Sequence, residues 1–299
     1  MDRRLFLGKV CKSVALFGVS STLYGCESRN STVRFGVVSD LHYAARDRAG
    51  TRIYRHTLDK LHEAINLFNE AKLDFIIELG DLKDQDANPE WENTIAYLDD
   101  VERALQTFNG PVYHVLGNHD MDSISKGDFL SHISNHGEAD GCAYYSFECR
   151  DIKFIVLDAN YNLDSSPYDK GNFDWTKALV PKEQLQWLQV ELEESNGPIV
   201  IFIHQLLDSF SDISSDLCVH NAAEVRNLLE RSGKVISVFQ GHHHPGHYSC
   251  KNDIHYWTIK GMIEGEWPTN NSFAIVEIET GKGINISGYS NCESMTLDI

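Results

Sequence analysis

Basic residues are scarce in this sequence: 26 Lys and Arg stand against 44 Asp and Glu, for a formal charge of -18. A nucleic-acid backbone recruits clustered Lys and Arg, so this shortage excludes nucleic acid as a main partner. It does not exclude a small phosphorylated ligand, because bound cations can reverse the sign of a local field. Cysteine is sparse too. Cys11 and Cys26 fall near the N-terminus, and Cys142, Cys149, Cys218, Cys250 and Cys292 form an odd set without metal-type spacing. A disulfide scaffold is thereby excluded, leaving buried or incidental thiols with room for one bridge. Internal repeats, low-complexity tracts and inter-domain linkers are absent as well. The apolar stretch over residues 14–24 falls well short of the roughly 20 residues that span a bilayer. With 42% hydrophobic and 10% aromatic residues, the chain still has ample material for a core.

What is present begins with the leader. Arg3 and Arg4 precede Leu5, Phe6 and Leu7, a pattern similar to a twin-arginine export signal. Leu23-Tyr24-Gly25-Cys26 resembles a bacterial lipobox. The expectation is an export leader over residues 1–26, a polar linker over 27–32 and one folded domain over 33–299. The mature chain is then exported, periplasmic or at the cell surface of a bacterium, and attached to the membrane through lipidated Cys26. No feature points to a protein partner.

Past the linker, short apolar runs alternate with helical periodicity. Strands are predicted over residues 33–39, 75–79 and 111–116. Between them, Leu58, Leu61, Ile65 and Phe68 predict one helix, and Trp91, Ile95, Leu98, Val101 and Leu105 a second. A hairpin is expected over 144–147 and 152–157, with its turn at Cys149-Arg150-Asp151. Leu185, Leu188 and Leu192 predict a helix opened by Pro181. Strands at 199–203 and 235–239 flank a helix at 222–229, and the tail reads as strands at 256–259, 273–278 and 284–287. Such alternation builds βαβ units and a largely buried sheet.

Metal-ligand residue types follow these strands five times. The clusters are Asp40-Leu41-His42, Gly80-Asp81-Leu82-Lys83-Asp84, Gly117-Asn118-His119-Asp120, His204, and Gly241-His242-His243-His244. Ligands of open α/β sheets bind beyond the carboxyl ends of strands, so all five can meet at one edge. Any single cluster has an ordinary explanation as a cap, a turn or a satisfied core histidine. Five together do not, because caps require neither His nor Asn-His pairs. The mixed imidazole, carboxylate and amide donors suit Mn, Fe or Zn better than Ca.

This ordered set resembles the calcineurin-like metallophosphoesterases, and the helix segment Glu183-Gln184-Leu185-Gln186-Trp187-Leu188 resembles one often found there. The resemblance implies a four-layer α-β-β-α sandwich: two mixed sheets flanked by helices, with the metal site at strand C-terminal ends. It implies two divalent metal ions, one held by Asp40, His42 and His244, the other by Asn118, His204 and His242, with Asp81 bridging. Such a pair, roughly 3.5–4 Å apart, clamps phosphoryl oxygens and acidifies water. His119 is expected to protonate the leaving oxygen rather than bind metal. Asp120 would orient His119, and Asp84 would act behind the ligands.

A narrower resemblance rests on Tyr43, on Arg52-Ile53-Tyr54-Arg55, and on residues 241–265 with their Lys260-Gly261-Met262-Ile263-Glu264 run. These are similar to manganese-dependent ADP-ribose/CDP-alcohol diphosphatases, with one departure: His42 stands where that group typically carries Gln. The substrate implied is a small nucleotide derivative. Arg46, Arg48, Arg52 and Arg55 follow the first motif closely, and one or two of them, Arg52 and Arg55 foremost, are candidates to grip a second anion; Tyr43 and Tyr248 are candidates to stack on a base, and Trp257 to pack. A cyclic-nucleotide phosphodiesterase or a broad phosphomonoesterase would use the same residues. A non-catalytic metal-binding surface lipoprotein is the alternative of a different class.

Overall fold

The computed structural model describes residues 32–299; the leader, Cys26 and the linker up to residue 31 lie outside the described residues. β1 (Thr32–Val38), α1 (Thr57–Ala71), β2 (Phe75–Glu78), α2 (Trp91–Leu105) and β3 (Val112–His114) form two consecutive parallel crossovers. The short α3 (Lys126–His132) follows, and then a second sheet begins with the hairpin of β4 (Tyr145–Cys149) and β5 (Ile152–Val156). It continues through α4 (Lys182–Glu194), β6 (Ile199–Ile203), α5 (Ala222–Ser232) and β7 (Val235–Gln240), again parallel, and closes with β8 (His247–Lys251) and β9 (Ile254–Thr258). The chain then returns to the first sheet as β10 (Ser272–Glu279), β11 (Gly283–Ser290) and β12 (Met295–Asp298), with β10 antiparallel to β1.

The two sheets run β12-β11-β10-β1-β2-β3 and β4-β5-β6-β7-β9-β8. Their inner faces supply a shared aromatic core. Phe35 of β1 stacks on Phe75 at 4.9 Å and meets Phe154, Phe202 and Phe239 of the second sheet edge-on at 5.6–5.8 Å. A fully buried Phe of this kind contributes about 3–5 kcal/mol relative to Ala. On the outer faces, α1, α2 and α3 cover the first sheet with Leu61, Phe68, Leu98 and Phe129, and α4 and α5 cover the second with Leu188 and Val225. The four-layer α-β-β-α sandwich is as expected.

Most expected elements are found within a few residues; Thr32 joins β1 rather than the linker. Three elements escape the sequence reading, each for a local reason. β8 and β12 are edge strands whose side chains are mostly exposed, so they show no apolar run. α3 has only seven residues, too few for a periodic stripe, and is held by a capping box between Ser125 and Asp128. Pro181 proves to be the N-cap, one residue ahead of the first helical turn.

The fold also ties the strand ends together. Asp40 N–H donates to Gly80 O, and Gly241 N–H to His204 O; Ile263 N–H and Met262 N–H donate to Asp40 O and Ser39 O. Loops that follow β1, β2, β6, β7 and β9 are thereby laced into one floor.

Candidate metal centre

On that floor the five clusters converge. Three triads have ligand atoms within 4.8 Å of one another: Asp40, His42 and His244; Asp81, His204 and His242; and His42, Asp84 and His119. Asp40, His42, Asp81, Asn118 and His204 are all buried. Asp81 lies between the first two triads, with Oδ2 3.5 Å from His42 Nε2 and 3.2 Å from His204 Nε2. In the first triad, His42 and His244 face each other Nε2 to Nε2 at 3.2 Å, and Asp40 Oδ1 lies 3.4 Å from His244.

Backbone conformation brings these side chains in. Asp40, His42, Asp81 and His242 all take positive φ, between 46° and 67°, a region that non-glycine residues enter at a cost of about 1–3 kcal/mol each. Crowding is severe enough that two neighbouring positions admit no side chain. A Cβ on Gly117 would sit 2.1 Å from Asp81 N, and one on Gly241 would sit 2.2 Å from Ser39 Oγ.

The ring nitrogens turned away from the cluster are anchored. His204 Nδ1 donates to Leu79 O at 2.7 Å, and His244 Nδ1 donates to Glu264 Oε1 at 2.7 Å. His42 Nδ1 faces Asp84 Oδ2 at 3.4 Å. Such partners set the tautomer and leave Nε2 of each ring for a cation. Asn118 Oδ1 and His242 Nε2 are buried atoms without any hydrogen-bond partner. Buried polar atoms are rarely left so. The donor set therefore fits two divalent cations, with Asp81 lying between the two groups of ligands.

Electrostatics point the same way. Burial alone would push His204 and His244 down, but Asp81 and Asp40 outweigh it and lift both to about 9. Burial, with the charge of His204 behind it, takes His242 down to about 3. In the metal-free protein at pH 7, His204 and His244 thus carry protons that a cation must displace. Cation affinity is expected to rise as pH climbs towards 9, with about one proton released per cation at pH 7 and about two for the loaded pair. Titration calorimetry of Mn²⁺ in buffers of different ionisation enthalpy measures that number; zero protons, or affinity falling with pH, would contradict it.

His119 stands at the cluster edge, its ring 4.6 Å from that of His42 and its N–H donating to Asp81 Oδ1 at 2.7 Å. The expected orienting residue is corrected here. Asp120 does not touch the His119 ring; its carboxylate accepts from the N–H groups of Gly117, Asp81 and Leu82 and knits the β2 and β3 loops together. Asp122, one turn of 3-10 helix further on, accepts from His119 Nδ1 at 2.7 Å. Burial opposes the charge on His119, yet Asp81, Asp122 and Asp84 raise it to about 9. Asp122→Asn should lower that pKa and move the basic limb of the kcat/KM profile to lower pH. A profile that shifts with Asp120→Asn but not with Asp122→Asn would reverse the assignment.

Of the candidate substrate residues, Arg52 reaches the site rim, bridged to Glu264 through backbone and close enough to act on His244. Tyr43 is half-buried against Tyr97. Arg55 is exposed and paired with Asp47 at 3.5 Å. Tyr248 bonds through its hydroxyl to His255 Nδ1, and its ring lines a small cleft with Trp257, Cys292 and Met295 that shares Pro245 and Lys260 with a cavity beside His244. Trp257 packs in the core, as expected.

Four residues were not foreseen in these places. Asp122 could have been read from its position three residues after His119. Glu264 lies in the run that carried the narrower resemblance, but nothing in the sequence pairs it with His244. Arg46 donates to Asp84 Oδ1 at 3.3 Å while lying over the Tyr54 ring. Trp175, 45% exposed, sets its ring edge-on to His242 at 5.7 Å.

A family model described as calcineurin-like phosphoesterase matches residues 33–246. The chain is 26% identical over 308 residues to a protein of Oryza sativa subsp. japonica named manganese-dependent ADP-ribose/CDP-alcohol diphosphatase, covering 89% of this chain and 94% of that one. A protein of the same name from Arabidopsis thaliana is 25% identical over 316 residues, covering 92% and 99%. Among solved structures, a dimetal phosphatase from Danio rerio superposes with a TM-score of 0.77 at 21% identity, over 89% of this chain and 98% of that one. At that identity the superposition speaks for the fold.

Proposed function

The chain belongs to the calcineurin-like phosphoesterase family, and on that premise we propose that it cleaves the phosphoanhydride bond of nucleoside diphosphate-linked compounds, of the ADP-ribose or CDP-alcohol type. The chain is a metal-dependent hydrolase with the two-cation chemistry of its family. A bound pair of divalent cations supplies Lewis-acid charge for the phosphoryl oxygens and lowers the pKa of water.

On this reading Asp40, His42 and His244 hold one cation, Asn118, His204 and His242 the other, and Asp81 serves both. Asp84 and Glu264 keep the rings of His42 and His244 turned inward. His119, its Nδ1 engaged by Asp122, holds a proton on Nε2 for the leaving oxygen. Arg52 offers a guanidinium to a second phosphate, and Trp175 an indole face to a base.

The observation that carries the substrate class is the pairing of an exposed indole beside one triad with Arg52, near enough to act electrostatically on His244, beside the other. It occurs in a chain aligned with two diphosphatases over nearly their whole length. Purified protein with Mn²⁺ should be offered ADP-ribose, CDP-choline, cyclic AMP and p-nitrophenyl phosphate. A nucleoside diphosphate compound should lead in kcat/KM. A lead for cyclic AMP or p-nitrophenyl phosphate would replace this substrate class with the cyclic-nucleotide or phosphomonoester reading. No turnover with both cations bound would leave a metal-binding lipoprotein.

We also propose export by residues 1–26 with lipid on Cys26. The intact mass of the cellular protein tests this: a chain beginning at Cys26 with added acyl mass is expected, and an unprocessed Met1 refutes it.

A further inference from the structure

β3 is an edge strand of three residues, paired only with β2, yet it leads into Gly117 and Asn118. So short a ladder orders little beyond its own length. Asn118 Oδ1 meets no hydrogen-bond partner among the described residues. Unlike His204 and His244, whose Nδ1 atoms are anchored, it takes its place from the backbone that carries it. That backbone is fastened two residues earlier, where Leu116 O accepts from Asn160 Nδ2 at 2.7 Å. Asn160 is fully buried and lies just past β5, in the second sheet. Its Oδ1 accepts from Gln205 Nε2 at 2.7 Å, and Gln205 follows His204 at the end of β6. One amide therefore ties the strand ends that carry Asn118 and His204. Stacked sheets lie about 10 Å apart, so no main-chain ladder can make that tie.

The Asn160 side chain fits only one way round. Its Nδ2 donates to Leu116 O and, at 2.9 Å, to Asp158 Oδ1; turned over, the amide would set its oxygen against those two acceptors. Asp158 is itself buried and held by Lys126, whose Nζ donates to Asp158 Oδ2 at 2.5 Å and to Asn160 O at 3.1 Å. Gln184 of α4 clasps the backbone of Asp158, accepting from its N–H at 3.0 Å and donating to its carbonyl at 2.8 Å. The ligands of the other cation are held elsewhere: Asp40 N–H by Gly80 O, His42 N–H by Asp81 O, and the His244 ring by Glu264.

We propose that Asn160 is a positioning residue for the cation of Asn118, His204 and His242: it sets the spacing of the β3 and β6 ends so that their donors converge. The inference rests on the assignment of ligands to two cations and adds to it a residue outside the ligand set. Groups that hold metal ligands from behind are worth about 10–100-fold in affinity. Here that loss should fall on one cation only.

Mn²⁺ titration of the full chain, followed by calorimetry and electron paramagnetic resonance, tests this without turnover. The wild type should fill both sites and give the broadened signal of two coupled ions. Asn160→Ala should leave one affinity unchanged and weaken the other by about 10–100-fold. The resolved hyperfine pattern of an isolated Mn²⁺ then appears while the first site is full. Asn160→Asp, which keeps an acceptor for Gln205 and loses the donor to Leu116, should do the same. Gln184→Leu breaks equally buried bonds to the same loop without touching either strand end; it should lower Tm and leave both affinities unchanged. The proposal is overturned if Asn160→Ala keeps both affinities or loses both together, or if Gln184→Leu weakens one cation as much. It is overturned too if neither Asn160 variant folds, since the amide would then be a structural residue. A wild type that holds fewer than two cations would overturn the ligand assignment itself, and this inference with it.

Discussion

His119→Ala should retain both cations and lose turnover by about 10²–10⁴-fold, the usual contribution of a positioned proton donor. The expectation follows from what His119 does and does not touch. Its Nδ1 is bonded to Asp122, and its backbone N–H, which the substitution leaves in place, donates to Asp81. The ring is part-exposed at the cluster edge, whereas His42, His204 and Asp40 are sealed beneath it. Removing the imidazole should therefore take away a proton donor and leave the metal floor standing. A substrate with a better leaving group needs that proton less, so p-nitrophenyl esters should suffer less than alkyl ones. Metal analysis of the dialysed variant, with kcat on both kinds of ester, is the check. Loss of a cation, or equal damage to both ester types, would make His119 a ligand or a structural residue.

Asp81→Asn should do more. Its carboxylate belongs to the triad of His204 and His242 and also approaches the other, 3.2 Å from His204 and 3.5 Å from His42. Burial works against its charge, but His204, His119 and His42 hold it well below the usual carboxylate range. Asparagine keeps the size and removes the anion. The two cations then lose their common counter-charge, and their mutual repulsion in a buried site is no longer offset. The variant is expected to keep at most one cation after dialysis and to lose turnover by more than about 10³-fold, since the two-cation clamp itself is dismantled. Turnover should recover only in part at high Mn²⁺. Two tightly held cations in Asp81→Asn would show that Asp81 is not the bridge.

How much of this was legible beforehand can be judged residue by residue. Helical stripes and buried strands were readable because α1, α2, α4 and the central strands each bury one continuous apolar face. Exposed β8 and β12 bury little, so their sequences carry little signal. The metal-type residues were legible because they follow strand ends, where an α/β fold has no other use for repeated His and Asn. Asp120 misled because adjacency in sequence was taken for contact. In the 3-10 turn that follows Asn118, the carboxylate next to His119 faces the backbone of β2, and the one three residues along meets the ring.

From the sequence by itself came the class of fold, the chemistry of the donors and the strand ends that carry them, since each is written in local composition and spacing. Only the tertiary structure decided which carboxylate serves which histidine, that Glu264 backs His244, that Trp175 flanks His242, and that Asn160 ties the β3 end to the β6 end. Those relations join segments up to some two hundred residues apart. They depend on how two sheets bring their strand ends onto one floor, a geometry that no local window of sequence contains.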